Sequence, residues 1–289
     1  MMLKRAPIVV CALLFLTPLT SCGGRKETNE PPVATPSVTL SRQRVAIGSP
    51  LKLTYKFDVA SGAGFDGDYW VFVHVLEPNG ERLWGEDHQP PVPTSKWKPG
   101  DRIEYSRTVF VPNYPYIGPA VIRLGLYDMS TNKRLALNGE EASRREYVVS
   151  KFELLPQSEN IFLIYKEGWH PAEVSADDPN NEWQWTKKAA TISFRNPKKD
   201  ATFYLEYAAR TDKFTPLQQV TVRIGDQTIG TFEASAKNKT LVTFPISAAQ
   251  LGPADVTELV IEVDRTFVPG GNDNRELGLQ IFHAFVEPR

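Results

Sequence analysis

Apolar and polar residues alternate with a period of two along most of the chain, which is the pattern of β-strands that bury one face. Residues 51–57 (LKLTYKF) place their apolar side chains on one face. Residues 69–76 (YWVFVHVL) are apolar on both faces, as expected of a central strand. Turn sequences such as Pro-Asn-Gly at 78–80 separate these segments. About eight short strands therefore predict an immunoglobulin-like β-sandwich over residues 37–155.

The second half of the chain shows the same alternation in seven further segments. They are residues 189–195, 201–208, 217–224, 227–233, 240–246, 258–264 and 276–286. The one helical signal is a single turn that begins after Ser247 and ends at Gly252. These features predict a jelly-roll β-sandwich, similar to a carbohydrate-binding module, over residues 156–289. The predicted fold class is all-β, with two tandem β-sandwich domains.

The N-terminal segment follows a different pattern. Lys4 and Arg5 precede an apolar stretch, residues 6–19, which is shorter than the roughly 20 residues of a membrane-spanning helix. Its length is that of the apolar part of a secretory signal. It ends in Leu-Thr-Ser-Cys22, the pattern of a bacterial lipobox, in which the cysteine is lipidated and becomes the mature first residue. The sequence predicts a lipoprotein signal peptide over residues 1–21; an ordinary signal peptide with an incidental cysteine is the alternative.

Cleavage before Cys22 determines the properties of the mature chain. Cys11 leaves with the signal peptide, so 268 residues (289 − 21) and one cysteine remain, and no intrachain disulfide can form. Residues 22–36 are polar and contain two adjacent prolines, which predicts a flexible tether. Gly23 follows the cysteine in place of the aspartate that retains many lipoproteins at the inner membrane. We therefore expect an exported protein anchored to the cell envelope, at the outer membrane where the organism has one.

Composition and motifs exclude several functions. With 33 basic and 34 acidic residues, the formal charge of −1 provides no basic surface for nucleic acid. The motifs of serine hydrolases, zinc peptidases, P-loop proteins and dinucleotide-binding proteins are absent, which indicates a non-catalytic protein without a cofactor. Because the chain has only four histidines, we do not expect a histidine-rich metal site. Strand parity places His74 beside Phe72, and His283 beside Ile281 and Phe285, so both are predicted core residues.

Three tryptophans, Trp169, Trp183 and Trp185, lie within 17 residues and beside acidic and amide side chains. A sugar ring stacks on a flat indole while acids and amides bind its hydroxyls, so this stretch is a candidate carbohydrate site. The alternative is that Trp183 and Trp185 fill the core; of the three, Trp169 is the one we least expect there. The candidate ligand-binding residues are Trp169, Glu173, Trp183, Trp185, Arg265 and Arg275. Both arginines could instead form ion pairs with Asp264 and Asp273.

The same stretch is rich in carboxylates. Two of them about 5–10 Å apart across a groove would suit glycoside hydrolysis. Calcium prefers six to eight oxygen ligands, and Asp177, Asp178 and Glu182 are the calcium candidates, with Asn180 nearby. A solvated loop is the interpretation that we prefer for these residues, and no EF-hand spacing is present. The sequence therefore predicts no metal site beyond these candidates.

Two longer motifs carry a resemblance. Residues 71–137, with VFVHVLEPNGERL, PTSKWKPGD and AVIRLGLYDMSTNKRLAL, resemble a β-sandwich domain found at the C-terminal ends of bacterial membrane glycosyltransferases. The second half resembles another domain of those proteins through Glu167-Gly-Trp169, Trp183-Gln-Trp185 and FVPGGNDNRELG at 267–278. Since the sequence contains no multi-spanning catalytic portion, the resemblance does not imply transferase activity. It implies two accessory domains on a lipid anchor.

These observations predict a non-catalytic envelope lipoprotein that acts as a binding or scaffolding module, with carbohydrate as the leading ligand. The expected partners are the lipid bilayer, through Cys22, and a polysaccharide. The alternative is a structural lipoprotein that docks another envelope protein through its sandwich surfaces. A polysaccharide-active enzyme is third. Exposed tryptophans in a groove would favour sugar binding, a bare apolar strand edge would favour a protein partner, and two carboxylates facing each other would favour the enzyme.

Overall fold

The computed structural model describes residues 30–178 and 181–289. The predicted signal peptide, Cys22 and most of the predicted tether lie outside the described residues, as does Asn180. Residues 32–289 form one compact unit. Apart from short helical turns, its regular elements are β-strands, which confirms the predicted all-β class of an immunoglobulin-like sandwich followed by a jelly-roll-like one. No helix within the described ranges is long and apolar enough to cross a membrane.

Nine strands form the first sandwich. They are β1 (Ala34–Leu40), β2 (Arg44–Ala46), β3 (Pro50–Val59), β4 (Trp70–Leu76), β5 (Arg82–Gly85), β6 (Arg102–Phe110), β7 (Gly118–Tyr127), β8 (Glu140–Ser143) and β9 (Glu146–Leu155). One sheet has the order β1-β3-β6, and the other has the order β2-β9-β7-β4-β5, with β8 paired to β9. The pairing of β2 with β9 is parallel, and the other pairs in this sandwich are antiparallel.

Strand β3 shows how the sequence pattern produces the first core. Leu51, Leu53 and Tyr55 point inward and are at most 2% exposed, while Lys52, between the first two, is exposed. They pack against inward residues of the opposite sheet, such as Ile122 on β7. Alternation of this kind removes apolar surface from water at roughly 25 cal/mol per Å². The pattern in residues 51–57 is therefore the direct cause of this strand and its position.

The second sandwich contains ten strands and one helical turn. They are β10 (Leu163–Tyr165), β11 (Glu173–Val174), β12 (Glu182–Trp185), β13 (Ala189–Arg195), β14 (Ala201–Ala208), β15 (Gln219–Ile224), β16 (Gln227–Glu233), β17 (Thr240–Ile246), α1 (Ala248–Leu251), β18 (Val256–Val263) and β19 (Gln280–Pro288). The sheet orders are β10-β13-β18-β15-β16 and β11-β12-β19-β14-β17. Helical turn α1 begins as predicted: Ser247 accepts a hydrogen bond from the backbone N–H of Gln250, which completes a capping box.

A second apolar core lies between these two sheets. Phe203, Leu205 and Ile261 are completely buried there. It is a separate cluster from the core of the first sandwich, since the residues of one cluster come from 34–154 and those of the other from 192–286. That residues 37–155 and 157–289 fold independently stays a prediction.

The two sandwiches contact each other beside the short turn that joins them. Asn160 accepts a hydrogen bond from the Ser49 hydroxyl at 2.7 Å and donates one to the carbonyl of Ile47, also at 2.7 Å. Arg42 of the first sandwich forms an ion pair with Glu287 on β19. These polar contacts hold one edge of the junction closed. Further along the same junction the surfaces separate.

Candidate binding cleft between the two sandwiches

A cleft of about 810 Å³ lies between the first sandwich and the sheet β11-β12-β19-β14-β17. This volume lies within the range of about 300–1,000 Å³ that is common for small-molecule sites. Charged groups and aromatic rings line both walls. From the first sandwich come Glu86, Arg107 and Phe110; from the second come Phe162, Tyr165, Glu182, Trp183, Glu206, Lys239, Phe282 and His283.

A β-bulge in strand β19 turns His283 into this cleft. Glu206 on β14 pairs with His283, but the next residue, Tyr207, pairs with Ile281, so Phe282 is the additional residue. Ile281 consequently faces the core and is 2% exposed, while His283 is exposed on the opposite face. The prediction of a core His283 was wrong, because strand parity assumes a regular strand and a bulge changes it.

His283 is held by contacts from both sandwiches. Its Nδ1 lies 2.7 Å from Oε2 of Glu206, and its ring stacks on Phe110 with centroids 4.5 Å apart and planes 12° from parallel. His74, the other predicted core histidine, is largely buried in the first sandwich, with Nδ1 3.2 Å from Glu146. Desolvation by burial lowers the pKa of His74. His74 is therefore shielded on the outer face of β4, since its neighbours Val73 and Val75 face the core, and the prediction of a core His74 was wrong as well.

Trp183 is the one of the three predicted tryptophans that lines the cleft. Its half-buried ring lies beside Phe282, with centroids 6.1 Å apart. The indole Nε1 is shielded from solvent and has no hydrogen-bond partner among the described residues. Lys239 places its ammonium 4.5 Å from the centroid of the Phe282 ring. The rings of Trp183 and Phe282 thus form an apolar part of the cleft wall, beside the ammonium of Lys239.

Trp169 and Trp185 occupy structural positions instead. Trp169 packs against the second core, and its Nε1 donates to the carbonyl of Thr191 at 2.9 Å. Gly168 permits this packing, because a Cβ at its position would lie 1.9 Å from the carbonyl oxygen of Ala189. Trp185 is 7% exposed and contacts Phe267 edge to face. Of the three, Trp185 is therefore the buried core residue, whereas Trp169 and Trp183 are both half-buried, and Trp183 is the one that lines the cleft.

The predicted arginines form the ion pairs that were their alternative role. Arg275 bonds to both oxygens of Asp273 at 2.9 and 2.8 Å and to Glu173 at 2.7 Å. Its guanidinium lowers the pKa of Asp273 to about 2. Arg265 bonds to Asp264 at 2.9 and 3.0 Å. None of these side chains lines the cleft, so the structure does not join them to Trp183.

The acidic stretch is divided between loop and cleft. Asp177 and Asp178 are exposed, whereas Glu182 lines the cleft beside Trp183. In the described ranges there is no group of three or more His, Cys, Asp or Glu side chains placed to hold a metal ion. Of the calcium candidates, Glu182 is therefore the one that the structure brings to the candidate site, and its neighbours there are aromatic.

Glu86 and Arg107 are cleft residues that the sequence analysis missed. The Glu86 side chain is mostly buried and forms no ion pair with a described residue; desolvation raises its pKa, against the attraction of Arg107. The carbonyl of Glu86 contacts Nδ1 of the buried His88 at 2.9 Å, and Nε2 of that histidine contacts the Tyr105 hydroxyl at 2.8 Å. Burial lowers the pKa of His88 to about 4. No local motif marks Glu86, since Arg107 lies on strand β6 and Glu206 and Lys239 come from the other sandwich.

No protein-family model matches the chain, and no curated protein matches it. Among solved structures, Bacteroides uniformis β-glucuronidase is 7% identical, with a TM-score of 0.30 over 88% of this chain and 30% of the enzyme. The CBM51-2 and INT domains of Clostridium perfringens ZmpB are 9% identical, with a TM-score of 0.25 over 60% of this chain and 38% of theirs.

Arthrobacter globiformis T6 isomalto-dextranase, solved in complex with panose, is 10% identical. Its TM-score is 0.26 over 83% of this chain and 35% of the enzyme. The chain thus spans only 30–38% of the length of each of these three structures. Similarities this low say nothing about the function of this chain.

Proposed function

We propose that this protein is a non-catalytic lipoprotein of the bacterial cell envelope that binds polysaccharide in the cleft between its two β-sandwiches. The observation that carries the proposal is Trp183: its indole lines a cleft of about 810 Å³ beside Phe282, and its N–H has no partner among the described residues. Attachment to the membrane through a lipidated Cys22 is the part of the proposal that rests on the sequence.

The chemistry of the walls suits a sugar chain. The rings of Trp183 and Phe282 offer an apolar surface for the C–H face of a pyranose. Around them, Glu182, Glu206 and Lys239 offer acceptors and a donor for hydroxyl groups.

Binding is tested with the mature protein purified in detergent and applied to a glycan array, followed by calorimetric titration with the oligosaccharides that it retains. Trp183→Ala is expected to weaken binding at least tenfold, because a central aromatic contact is worth more than about 1.4 kcal/mol. Trp70→Ala is the matched control, since Trp70 is also half-buried but does not line the cleft. Equal affinity of both variants for a saccharide that the wild type binds would refute this site.

The anchor has its own test. When a cleavable signal that carries no lipobox replaces residues 1–23, the product starts at Gly24 and should appear in the soluble fraction. The wild type should pellet with membranes and withstand a high-salt wash. Pelleting of both proteins would show that attachment does not depend on Cys22.

Docking of another envelope protein is the second candidate function, and one observation favours it. Strand β10 is an edge strand, and Phe162 and Ile164 beside the cleft are 60% and 57% exposed. Exposed apolar side chains on a sheet edge are suited to strand addition by a partner. Ile164→Lys should abolish crosslinking to such a partner in cells and leave saccharide binding unchanged. Retention of every crosslink in this variant would exclude the edge.

A further inference from the structure

The charges that line the cleft are unequal in number and mostly unpaired. Three carboxylates, Glu86, Glu182 and Glu206, face two basic side chains, Arg107 and Lys239. Among the described residues, the single ion pair that these five groups form within 4.0 Å is the one between Glu206 and His283. Glu86 and Glu182 therefore present carboxylates that no protein cation neutralises at contact distance.

Neither of the two basic side chains neutralises these carboxylates. Lys239 directs its ammonium at the ring of Phe282, 4.5 Å from the centroid, and Arg107 is exposed. Because both are solvated, water screens their attraction for a carboxylate. Glu86 is the more deeply placed group, and a mostly buried carboxylate is destabilised unless a cation or hydrogen-bond donors compensate it.

The titration of Glu86 agrees with this geometry. Desolvation raises its pKa, and the carboxylates of Glu206 and Asp87 raise it further. Arg107 and Lys239 lower it without reversing the direction. The protein therefore leaves negative charge at this point of the cleft insufficiently compensated, and a cationic group on a ligand would lower the free energy of the ionised form.

On the premise of the proposed function, we propose that the cleft selects polysaccharides whose sugars carry protonated amino groups, and that Glu86 is the carboxylate that binds them. The ring of Trp183 lines the same cleft beside Phe282 and offers an apolar surface. An amino sugar matches both features: an ammonium for Glu86 and an apolar ring face for Trp183. A uronic acid polymer would instead meet Glu86 and Glu206 with a like charge.

The test compares four oligosaccharides of equal length in calorimetric titrations of the mature protein at about pH 6, where a sugar amine is protonated and its approach favours the ionised form of Glu86. They are oligomers of glucosamine, N-acetylglucosamine, glucose and galacturonic acid. Acetylation removes the charge and retains the ring, so the glucosamine oligomer should bind about tenfold tighter than its acetylated form. Glu86→Gln should reduce this ratio to less than about threefold while affinity for the acetylated oligomer stays within about twofold.

Glu258→Gln is the matched control, because Glu258 is exposed on β18, outside the cleft, and should keep the full ratio. Equal affinity for the charged and acetylated oligomers would overturn amine selection and leave polysaccharide binding in place. If the galacturonate oligomer bound most tightly, amine selection would be overturned, and Arg107 and Lys239 would be the groups that select an anionic sugar. Binding of no saccharide, here or on the array, would refute the proposed function itself.

Discussion

Two tryptophans, one from each sandwich, have different surroundings. In the first sandwich, Trp97 is buried and donates its Nε1 hydrogen to the carbonyl of Val92 at 2.9 Å. In the second, Trp183 is half-buried and its ring lines the cleft beside Phe282. An unsatisfied N–H does not by itself mark a ligand site, because Trp84 of the first sandwich has one as well as Trp183. The position of the Trp183 ring in the cleft wall is what makes it the expected ligand contact.

The first expected difference is in stability, and it is the largest. Trp97 is 5% exposed and packs against Phe57 and Phe65, so Trp97→Ala should lower the free energy of unfolding by about 3–5 kcal/mol. Trp183→Ala should cost less than about 1.5 kcal/mol, because its ring remains partly in contact with solvent. Urea unfolding followed by circular dichroism measures both. Similar losses in the two variants would show that Trp183 is a core residue.

Acid should destabilise the first sandwich through His88. Burial lowers the pKa of this side chain from 6.5 to about 4, so the folded state favours the neutral imidazole. The corresponding stability is present above about pH 6.5 and is lost as pH falls toward 4, in total about 3 kcal/mol. His88→Gln cannot titrate and should unfold with a shallower dependence on pH over this interval. Parallel curves for wild type and variant would contradict this assignment.

Glu86 should change the pH dependence of stability less than His88 does, and in the opposite direction. Its pKa is raised by desolvation, so the folded state binds the carboxyl proton more tightly than the unfolded state does. Stability from this group is thus present at acid pH and is lost as pH rises through the raised pKa. Glu86→Gln is neutral at every pH and should slightly raise the melting temperature at neutral pH, with no gain in acid. A lower melting temperature at neutral pH would show that the carboxylate is stabilised within the fold.

The smallest effect is expected for Arg265. Its ion pair with Asp264 lies at the surface, where such pairs contribute about 0–1 kcal/mol. Arg265→Ala should therefore change the melting temperature by no more than about 2 °C and leave saccharide affinity unchanged. A loss of affinity measured by calorimetry would move the binding site from the cleft to the 265–275 loop.

Several features could be predicted from the sequence because they depend on local pattern. Alternation in residues 51–57 and the Ser247 cap each determine a local structure through neighbours along the chain. The cleft could not be predicted in this way. Its Glu86 and Trp183 belong to different sandwiches, and the orientation of His283 depends on a bulge that strand parity does not reveal.

The short strands β10 to β12 illustrate the same limit. No alternation predicted them, because they contain only two to four residues; β10 and β11 lie at sheet edges, and β12 pairs with β11. Trp169 and Trp183 come from this part of the chain, and their local sequences alone did not show which of them lines the cleft. Tertiary contacts distinguish the two tryptophans. Gly168 lets Trp169 pack against the core, whereas Trp183 lies beside Phe282 in the cleft wall.

Fluorine NMR of the mature protein labelled with 5-fluorotryptophan tests the central claim most directly. The chain has six tryptophans, and single Trp→Phe variants assign their signals. On saturation with an oligosaccharide retained on the array, the signal of Trp183 should shift, while those of Trp97, Trp169 and Trp70 should remain in place. A shift of Trp169 or Trp70 with an unchanged Trp183, or no shift at saturation, would contradict binding in the cleft.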